Sequence, residues 1–181
     1  PYSPKLGSPL SNFEADQNYM DIDDPAVTVE VKVEGVENEY FVAWTTTPWT
    51  LPSNVALGFG AEIQYSLVEG EKHYWVATEA IERYFGEEAT VLKTQMGKEF
   101  YQKRYTPLFD FFTDEAEERF VCLYDDTDYI STEAGTGIVH FAPSFGAEDA
   151  ELCAKFNVYG VNPIEDDGYF GKQIPELEGH Y

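Results

Sequence analysis

Apolar and polar residues alternate along the first half of the chain in a pattern that predicts β-strands. From Val27 to Val33 every second residue is apolar, which predicts a strand with one buried face. Residues 65–68 and 73–77 are two short apolar runs joined by Glu-Gly-Glu, and they predict a hairpin. Further strands are expected at 40–45, 90–93, 120–123 and 138–142.

Helical patterns are fewer and shorter. A helix is expected at 79–85, ended by Gly86, and another at 147–156, where Leu152, Cys153 and Phe156 share one face. Residues 1–25 are rich in Pro, Ser, Asn and Asp and predict an irregular lead-in. The pattern therefore predicts a β-rich α+β fold: a closed or nearly closed β-barrel core with short peripheral helices, in a single domain over 1–181.

Composition and charge narrow the possible partners. Hydrophobic residues make up 43% of the chain and aromatic residues 16%, which supports a packed core. The 34 carboxylates and 11 basic residues give a net charge of −23, which is unfavourable for gripping phosphates. If RNA enters a site here, other parts of a larger protein should hold it.

The metal-binding residue types show no ligand spacing. Cys122 and Cys153 stand alone in apolar surroundings, and His73, His140 and His180 are scattered. We therefore expect no zinc site and a reduced, cytoplasmic setting. No apolar run of membrane length is present, so no membrane contact is expected.

Four threonines fall within the six residues 45–50, starting at the last residue of the strand at 40–45. Thr45, Thr46, Thr47 and Thr50 lie in a segment stiffened by Pro48 and Pro52; we call residues 45–54 the hydroxyl loop. Each hydroxyl both donates and accepts a hydrogen bond, so this loop could bind a ribose, an ester carbonyl or a water molecule. A threonine-rich edge strand is the simpler alternative. Trp49, in the same loop, is by itself more typical of a core or rim aromatic than of a substrate wall.

A second unusual segment runs from Gly135 to Asp149. Two glycines precede a strand that carries His140, and a Pro-to-Gly break leads into a helix whose first turn contains Asp149. We call residues 142–149 the acid turn. Asp149 is suited to binding an ammonium group, although favourable interaction with the helix dipole is the simpler explanation. His140 alone would more often be a buried structural histidine than a catalyst.

Other hydrolytic chemistries find little support. The chain has no nucleophile elbow, no phosphate-binding loop and no metal-ligand motif. Ser144 is the serine nearest to His140 and Asp149, and it lies outside any Gly-x-Ser-x-Gly context. A covalent mechanism is therefore disfavoured.

Together the two segments resemble the inserted editing domain of the class I isoleucyl-, valyl- and leucyl-tRNA synthetases. The motifs are Leu-Ser-Asn-x-Glu at 10–14, Thr-Thr-Thr-Pro-Trp-Thr-Leu-Pro-Ser-Asn at 45–54, and Gly-Thr-Gly-Ile-Val-His at 135–140. The second and third motifs are similar to the isoleucyl branch. The synthetic-site signatures His-Ile-Gly-His and Lys-Met-Ser-Lys-Ser are absent from the sequence.

The resemblance implies a fold, a reaction and a role for each site residue. The fold would be a β-barrel with flanking helices, part of a larger synthetase. Thr45, Thr46 and Thr47 would hold the terminal adenosine and the reacting ester, while Asp149 would bind the α-ammonium. Thr47, Trp49 and Thr50 would contact the bound aminoacyl group. His140 would act in the site and reject isoleucine by size.

The implied function is hydrolysis of valine misattached to the isoleucine tRNA, after transfer, with editing before transfer left open. The implied partners are the charged 3′ end of that tRNA and the rest of the synthetase. No cofactor is expected in this domain, because ATP would serve the synthetic domain. A non-catalytic acidic binding module and a valyl or leucyl relative remain alternatives. Which group activates the water is left open.

Overall fold

The computed structural model describes residues 2–3, 5–15, 17, 21, 23, 25–113 and 118–181. The chain divides into two compact units. The smaller is formed by Pro1–Asp24 with Asn162–Tyr181, and the larger by Pro25–Val161. Every residue assigned to a site by the sequence analysis lies in the larger unit. The expectation of a single domain over 1–181 stays a prediction.

The smaller unit begins with local structure where an irregular lead-in was expected. Strands β1 (Tyr2–Ser3) and β2 (Ser8–Pro9) form an antiparallel pair, followed by helix α1 (Asn12–Ala15). Ser11 caps this helix reciprocally with Glu14: the Ser11 N–H donates to the carboxylate at 2.9 Å, and the Glu14 N–H donates to Ser11 Oγ at 3.3 Å. Residues 1, 4, 16, 18–20, 22 and 24 of the lead-in lie outside the described residues.

The larger unit is built on one eight-stranded, curled half-barrel sheet with few short helices, which confirms the predicted β-rich class. Its strand order is β8-β6-β7-β4-β10-β5-β9, with β3 paired to β4. The strands are β3 (Val27–Lys32), β4 (Glu39–Thr45), β5 (Ala56–Gly60), β6 (Gln64–Glu69), β7 (His73–Ala77), β8 (Val91–Met96), β9 (Val121–Asp125) and β10 (Ile138–Phe141).

Aromatic side chains fill the main core of this unit. Phe59 stacks on Phe100 at 4.5 Å between ring centroids, and Phe41 and Tyr65 meet them edge to face. Phe41, Phe59, Phe100 and Tyr65 are fully buried. Replacing such a phenylalanine with alanine removes about 3–5 kcal/mol of stability, so this cluster contributes strongly to the stability of the sheet that carries the site.

A second buried cluster attaches helix α3 (Ala147–Lys155) to the sheet. Leu152 and Cys153 are buried there against Phe141 and Leu123. The predicted helical face is therefore confirmed, and its burial fixes the position of the acid turn at the start of α3. Both cysteines are free and buried, and burial raises the pKa of the Cys153 thiol to about 12.

Strand β5 was missed by the sequence analysis. Its sequence, Ala-Leu-Gly-Phe-Gly, shows no alternation because all five residues are buried, and glycine is rare within strands. Gly58 is required by packing: a Cβ there would lie 2.3 Å from Cζ of Phe141 on the neighbouring strand. The other predicted strands and the hairpin of β6 and β7 are observed.

Two helical regions differ slightly from expectation. The residues predicted as an irregular proline loop form a 3₁₀ helix over Pro48–Ser53, with Pro48 in its first turn, where a missing N–H costs nothing. The predicted helix at 79–85 is a 3₁₀ turn, Thr78–Ala80, followed by α2 (Ile81–Phe85), and Gly86 ends it with φ +82°.

The Gly-Thr-Gly turn before β10 lets the backbone approach the neighbouring strand closely. Both glycines have positive φ, and a Cβ at Gly135 would lie 2.7 Å from the Trp44 ring. Arg83 of α2 holds the same turn by donating to the carbonyls of Gly135 and Glu133 at 2.8 and 3.2 Å. The turn therefore delivers β10, and with it His140, in a fixed register beside β4.

Candidate active site

The topology brings the two segments singled out by the sequence to one place. Strands β4 and β10 are parallel neighbours, with Trp44 paired to Val139. Because parallel strands end at the same edge of a sheet, the hydroxyl loop and the acid turn leave that edge side by side. Between them lies a cavity of about 340 Å³, lined by Trp44, Thr45, Thr46, Thr47, Trp49, Thr50, Tyr129, Val139, His140, Ala142, Phe145, Gly146 and Asp149.

The hydroxyl loop folds on its own hydrogen bonds. Thr45, buried at the end of β4, accepts the Thr47 N–H at 3.1 Å, and its hydroxyl lies 3.3 Å from the Thr47 hydroxyl. The Thr50 hydroxyl donates to the Thr47 carbonyl at 2.8 Å. The side chains of Thr46 and Thr47 are exposed, so these two threonines present their hydroxyls to an incoming molecule.

His140 is buried in the wall of the cavity. Its Nε2 lies 2.8 Å from the Thr50 hydroxyl, and its Nδ1 lies 3.3 Å from Nδ2 of Asn54. Only 6% of the residue is exposed, and this burial lowers the pKa of the imidazole to about 4. At neutral pH the ring is therefore uncharged, and hydrogen bonds at both nitrogens hold it in place.

Asn54 and Tyr105 belong to the same hydrogen-bonded group and were missed as site residues. The Asn54 amide donates to the Ala56 carbonyl at 2.9 Å, and the Tyr105 hydroxyl donates to Asn54 Oδ1 at 2.5 Å. Asn54 ends the hydroxyl-loop motif, so its position could have drawn attention. Tyr105 carries no such signal, because it lies 51 residues further along the chain and the fold alone brings it here.

Asp149 lines the same cavity from the acid turn, in the first turn of α3. The Ala142 N–H donates to Oδ2 at 2.9 Å and the Tyr129 hydroxyl donates to Oδ1 at 3.3 Å. Burial raises the pKa of this carboxyl, the two hydrogen bonds oppose the rise, and neighbouring Glu148 adds to it. The carboxylate retains free acceptor capacity, as an ammonium ligand would require.

Tyr129 was also missed as a site residue, and its position depends on the buried side chain of Asp125. Asp125, at the end of β9, accepts the N–H groups of Thr127 and Ile130 at 2.9 and 3.0 Å. Burial acts to raise the pKa of Asp125, but the hydrogen bond from the Thr127 hydroxyl, together with the backbone N–H groups, outweighs it and the pKa is lowered. The turn held by Asp125 therefore directs Tyr129 toward Asp149. No local pattern in the sequence announces this contact.

Trp49 forms part of the rim. It is 51% exposed and packs edge to face on Phe145, with 5.0 Å between ring centroids. The pair joins the hydroxyl loop to the acid turn at the mouth of the cavity. All the residues proposed from the sequence, Thr45, Thr46, Thr47, Trp49, Thr50, His140 and Asp149, thus line one cavity, while their individual roles stay predictions.

Among the described residues, no group of three or more His, Cys, Asp or Glu side chains could hold a metal ion. Within the described part of the chain, none of the helices combines the length and apolar character needed to cross a bilayer.

The fold matches known editing domains. A crystal structure of GlLeuRS-CP1 superposes with a TM-score of 0.56, at 16% identity, over 75% of this chain and 65% of that one. The editing domain of the P. knowlesi cytosolic leucyl-tRNA synthetase gives a TM-score of 0.51, at 14% identity, over 74% and 67% of the two chains. The larger class is therefore clear: the chain has the fold of an aminoacyl-tRNA synthetase editing domain.

No family model matches the chain, but individual isoleucine–tRNA ligases are similar to it over nearly its whole length. It is 43% identical to the isoleucine–tRNA ligase of Protochlamydia amoebophila over 99% of this chain and 18% of that protein. It is 40% and 41% identical to the cytoplasmic isoleucine–tRNA ligases of Saccharomyces cerevisiae and Mus musculus, covering 18% and 15% of their lengths. Over nearly its whole length the chain is similar to one segment of the isoleucine–tRNA ligases, and it spans only 15–18% of the length of these relatives.

Proposed function

We propose that the chain is a hydrolytic editing domain that releases valine misattached to the isoleucine tRNA. The observation that carries the proposal is the single cavity shared by the hydroxyl loop and the acid turn. It combines a carboxylate, several hydroxyls and a rigid neutral histidine, which are the groups needed to hold an aminoacyl ester. The chain is similar to isoleucine–tRNA ligases. This similarity supports isoleucine as the correct amino acid, whose ester the site should leave intact.

A second site is needed because an isoleucine pocket cannot strongly exclude valine. One missing methylene costs only about 1–3 kcal/mol of binding, and isoleucine against valine is the standard example of this limit rather than a value measured for this chain. A hydrolytic site can reverse the order of size selection, because an overfilled rigid pocket rejects the larger side chain. The whole cavity, at about 340 Å³, has room for either amino acid, so the local wall at His140 would make the distinction.

In the proposed reaction, Asp149 anchors the α-ammonium and His140 limits the side chain. Thr47 and Trp49 would contact the valine side chain, while Thr45 and Thr46 would help to hold the ester and the terminal ribose. Water attacks the ester carbonyl carbon, the bond from that carbon to the ribose oxygen breaks, and the ribose oxygen takes a proton. Valine and free tRNA are the products.

An aminoacyl ester is already activated, so positioning and stabilisation of the oxyanion supply most of what the site must provide. The strongly acidic surface, with a net charge of −23, cannot hold the tRNA by itself. We infer that Lys and Arg residues elsewhere in a full-length synthetase bind the tRNA and present its 3′ end. We place that synthetase in the cytoplasm, as the names of the yeast and mouse relatives indicate for those proteins.

The test is ester hydrolysis by the full-length synthetase that carries this segment. Isoleucine tRNA would be charged separately with valine, threonine, norvaline and isoleucine, and loss of each ester followed with time. Valine should be released much faster than isoleucine. Equal rates for valine and isoleucine would contradict the proposal, and a preference for threonine or norvaline would indicate a valyl or leucyl specificity.

A further inference from the structure

The hydrogen bonds around His140 have a defined donor-to-acceptor direction, which can be deduced from the orientation of the Asn54 side chain. The Ala56 carbonyl can only accept, so the atom of Asn54 that faces it at 2.9 Å must be the amide nitrogen. The other end of the same amide, Oδ1, then accepts from the Tyr105 hydroxyl. The orientation of the Asn54 side chain is thereby fixed from both ends.

This orientation determines where His140 carries its hydrogen. The Asn54 amide nitrogen bears a second N–H, and it faces His140 Nδ1 at 3.3 Å. A donor opposite a donor would be repulsive, so Nδ1 must present its lone pair. A neutral His140 therefore has its hydrogen on Nε2, and this N–H points to the Thr50 hydroxyl at 2.8 Å.

The last link ends in the hydroxyl loop. Thr50 Oγ1 accepts from His140 and gives its single hydrogen to the Thr47 carbonyl at 2.8 Å. Five residues thus form one directed chain, in which each donor meets an acceptor, from Tyr105 through Asn54, His140 and Thr50 to Thr47. Its first member, Tyr105, is fully buried in the aromatic core and outside the cavity lining.

We propose that Tyr105 and Asn54 lock His140 as the neutral Nε2–H tautomer, so that His140 is a wall and a hydrogen-bond donor but not the base that activates water. The only basic lone pair of the ring, on Nδ1, is occupied by Asn54. Tyr105 then acts as a positioning residue for the hydroxyl loop. The part that concerns hydrolysis rests on the proposed editing function, whereas the tautomer does not.

The tautomer is measured directly by long-range ¹H–¹⁵N correlation spectra of the 181-residue chain, with the His140 signals assigned by their loss in His140→Gln. The Nε2–H pattern is expected across the neutral range. An Nδ1–H pattern, or a charged ring at neutral pH, would overturn the proposal. His73 and His180, which lie outside the cavity lining, provide internal references in the same spectrum.

Two substitutions with nearly unchanged shape probe the lock. Asn54→Asp replaces the N–H facing Nδ1 with a carboxylate oxygen, so the hydrogen should move to Nδ1 or the ring should become charged. Tyr105→Phe removes one hydroxyl and should weaken the preference for Nε2–H, while Tyr101→Phe, at an exposed tyrosine, should leave the spectrum unchanged. An unaltered His140 pattern in both Asn54→Asp and Tyr105→Phe would refute the lock.

Kinetics of the full-length synthetase test the consequence for catalysis. Tyr105→Phe should lower kcat for valine release by about twofold to tenfold, the effect of one neutral hydrogen bond, with little change in KM. His140→Gln removes any basic lone pair of the ring, and it should lower hydrolysis of the valyl ester by less than the roughly hundredfold expected for loss of a general base. A fall of about hundredfold or more in a folded His140→Gln protein would overturn the claim that His140 is not the base. Failure of the editing proposal would instead show as equal valine and isoleucine release by the unaltered enzyme.

Discussion

The two sides of the cavity are fixed in different ways. On the His140 side, Thr50 and Asn54 contact the two ring nitrogens, Tyr105 holds Asn54 from behind, and all four residues are buried. On the Asp149 side, the carboxylate is held by one backbone N–H and by Tyr129, which is 43% exposed. Both ring nitrogens of His140 are thus already hydrogen-bonded, whereas the Asp149 carboxylate still has lone pairs that can accept further hydrogen bonds.

This difference separates the two tasks of a selective site. A buried wall with satisfied hydrogen bonds cannot easily move, so it can reject a side chain that is one methylene too large. A half-buried carboxylate with unused lone pairs can instead form new bonds to a ligand. We therefore expect shape selection from His140 and charge recognition from Asp149, and each expectation can be tested separately.

The largest effect is expected from Asp149→Asn. This change keeps the shape and removes the charge that would meet the α-ammonium. Truncating one partner of a buried charged pair costs about 2–5 kcal/mol, which corresponds to about 30-fold to several thousand-fold in rate at low substrate. The measurement is valine release from charged isoleucine tRNA by the full-length enzyme. Glu151→Gln, at an exposed acid of the same helix, is the matched control and should behave as wild type.

A smaller effect is expected from His140→Ala, and it should appear in specificity. Removing the wall should allow isoleucine to enter and be hydrolysed from correctly charged tRNA. The steric penalty removed is about 1–3 kcal/mol, so release of isoleucine should rise by about fivefold to 150-fold. Valine release serves as the reference in the same enzyme. If isoleucyl tRNA stays intact in a variant that still releases valine, another residue is the size gate.

Tyr129→Phe removes one of the two hydrogen bonds that hold the Asp149 carboxylate, and it should weaken binding at Asp149 without abolishing it. The bond runs from a hydroxyl to a carboxylate, but it is partly exposed to solvent and worth about 0.5–1.5 kcal/mol, so valine release should fall by about twofold to tenfold, mainly through KM. The same bond lowers the pKa of Asp149. Since only the ionised carboxylate binds an ammonium, activity falls as pH falls through that pKa, and this acid limb should move to higher pH in the variant. A limb that stays in place would separate Tyr129 from Asp149 in function.

The sequence predicted the lining of the cavity better than the network behind it. Thr45, Thr50, His140 and Asp149 occur in compact motifs, because neighbouring residues at the ends of two parallel strands share one edge of the sheet. The supporting residues have no such regularity. Tyr105 and Tyr129 are brought in by the fold from separate segments, and a single tyrosine in a sequence gives no sign of what its hydroxyl contacts.

Strand β5 shows the same limit for the fold. A strand buried on both faces loses the alternation by which strands are recognised, and here two of its five residues are glycines. The proline-containing loop likewise became a 3₁₀ helix, since Pro48 fits a first helical turn as well as it breaks a strand. Where a pattern permits two local structures, packing against the rest of the sheet decides between them.

The smallest effect, and one of opposite sign, is expected from Glu148→Gln. Glu148 is exposed and raises the pKa of Asp149 through its negative charge, so removing that charge should lower the pKa and move the acid limb of valine release to lower pH. The rate at neutral pH should change less than the rate on the acid limb. Loss of an acid from the first turn of α3 costs stability of about 0.3–1 kcal/mol, measured by urea unfolding. Tyr129→Phe and Glu148→Gln therefore shift one titration in opposite directions, and shifts of the same sign would show that the limb does not report Asp149. This pair of variants tests the role of Asp149 without altering its carboxylate.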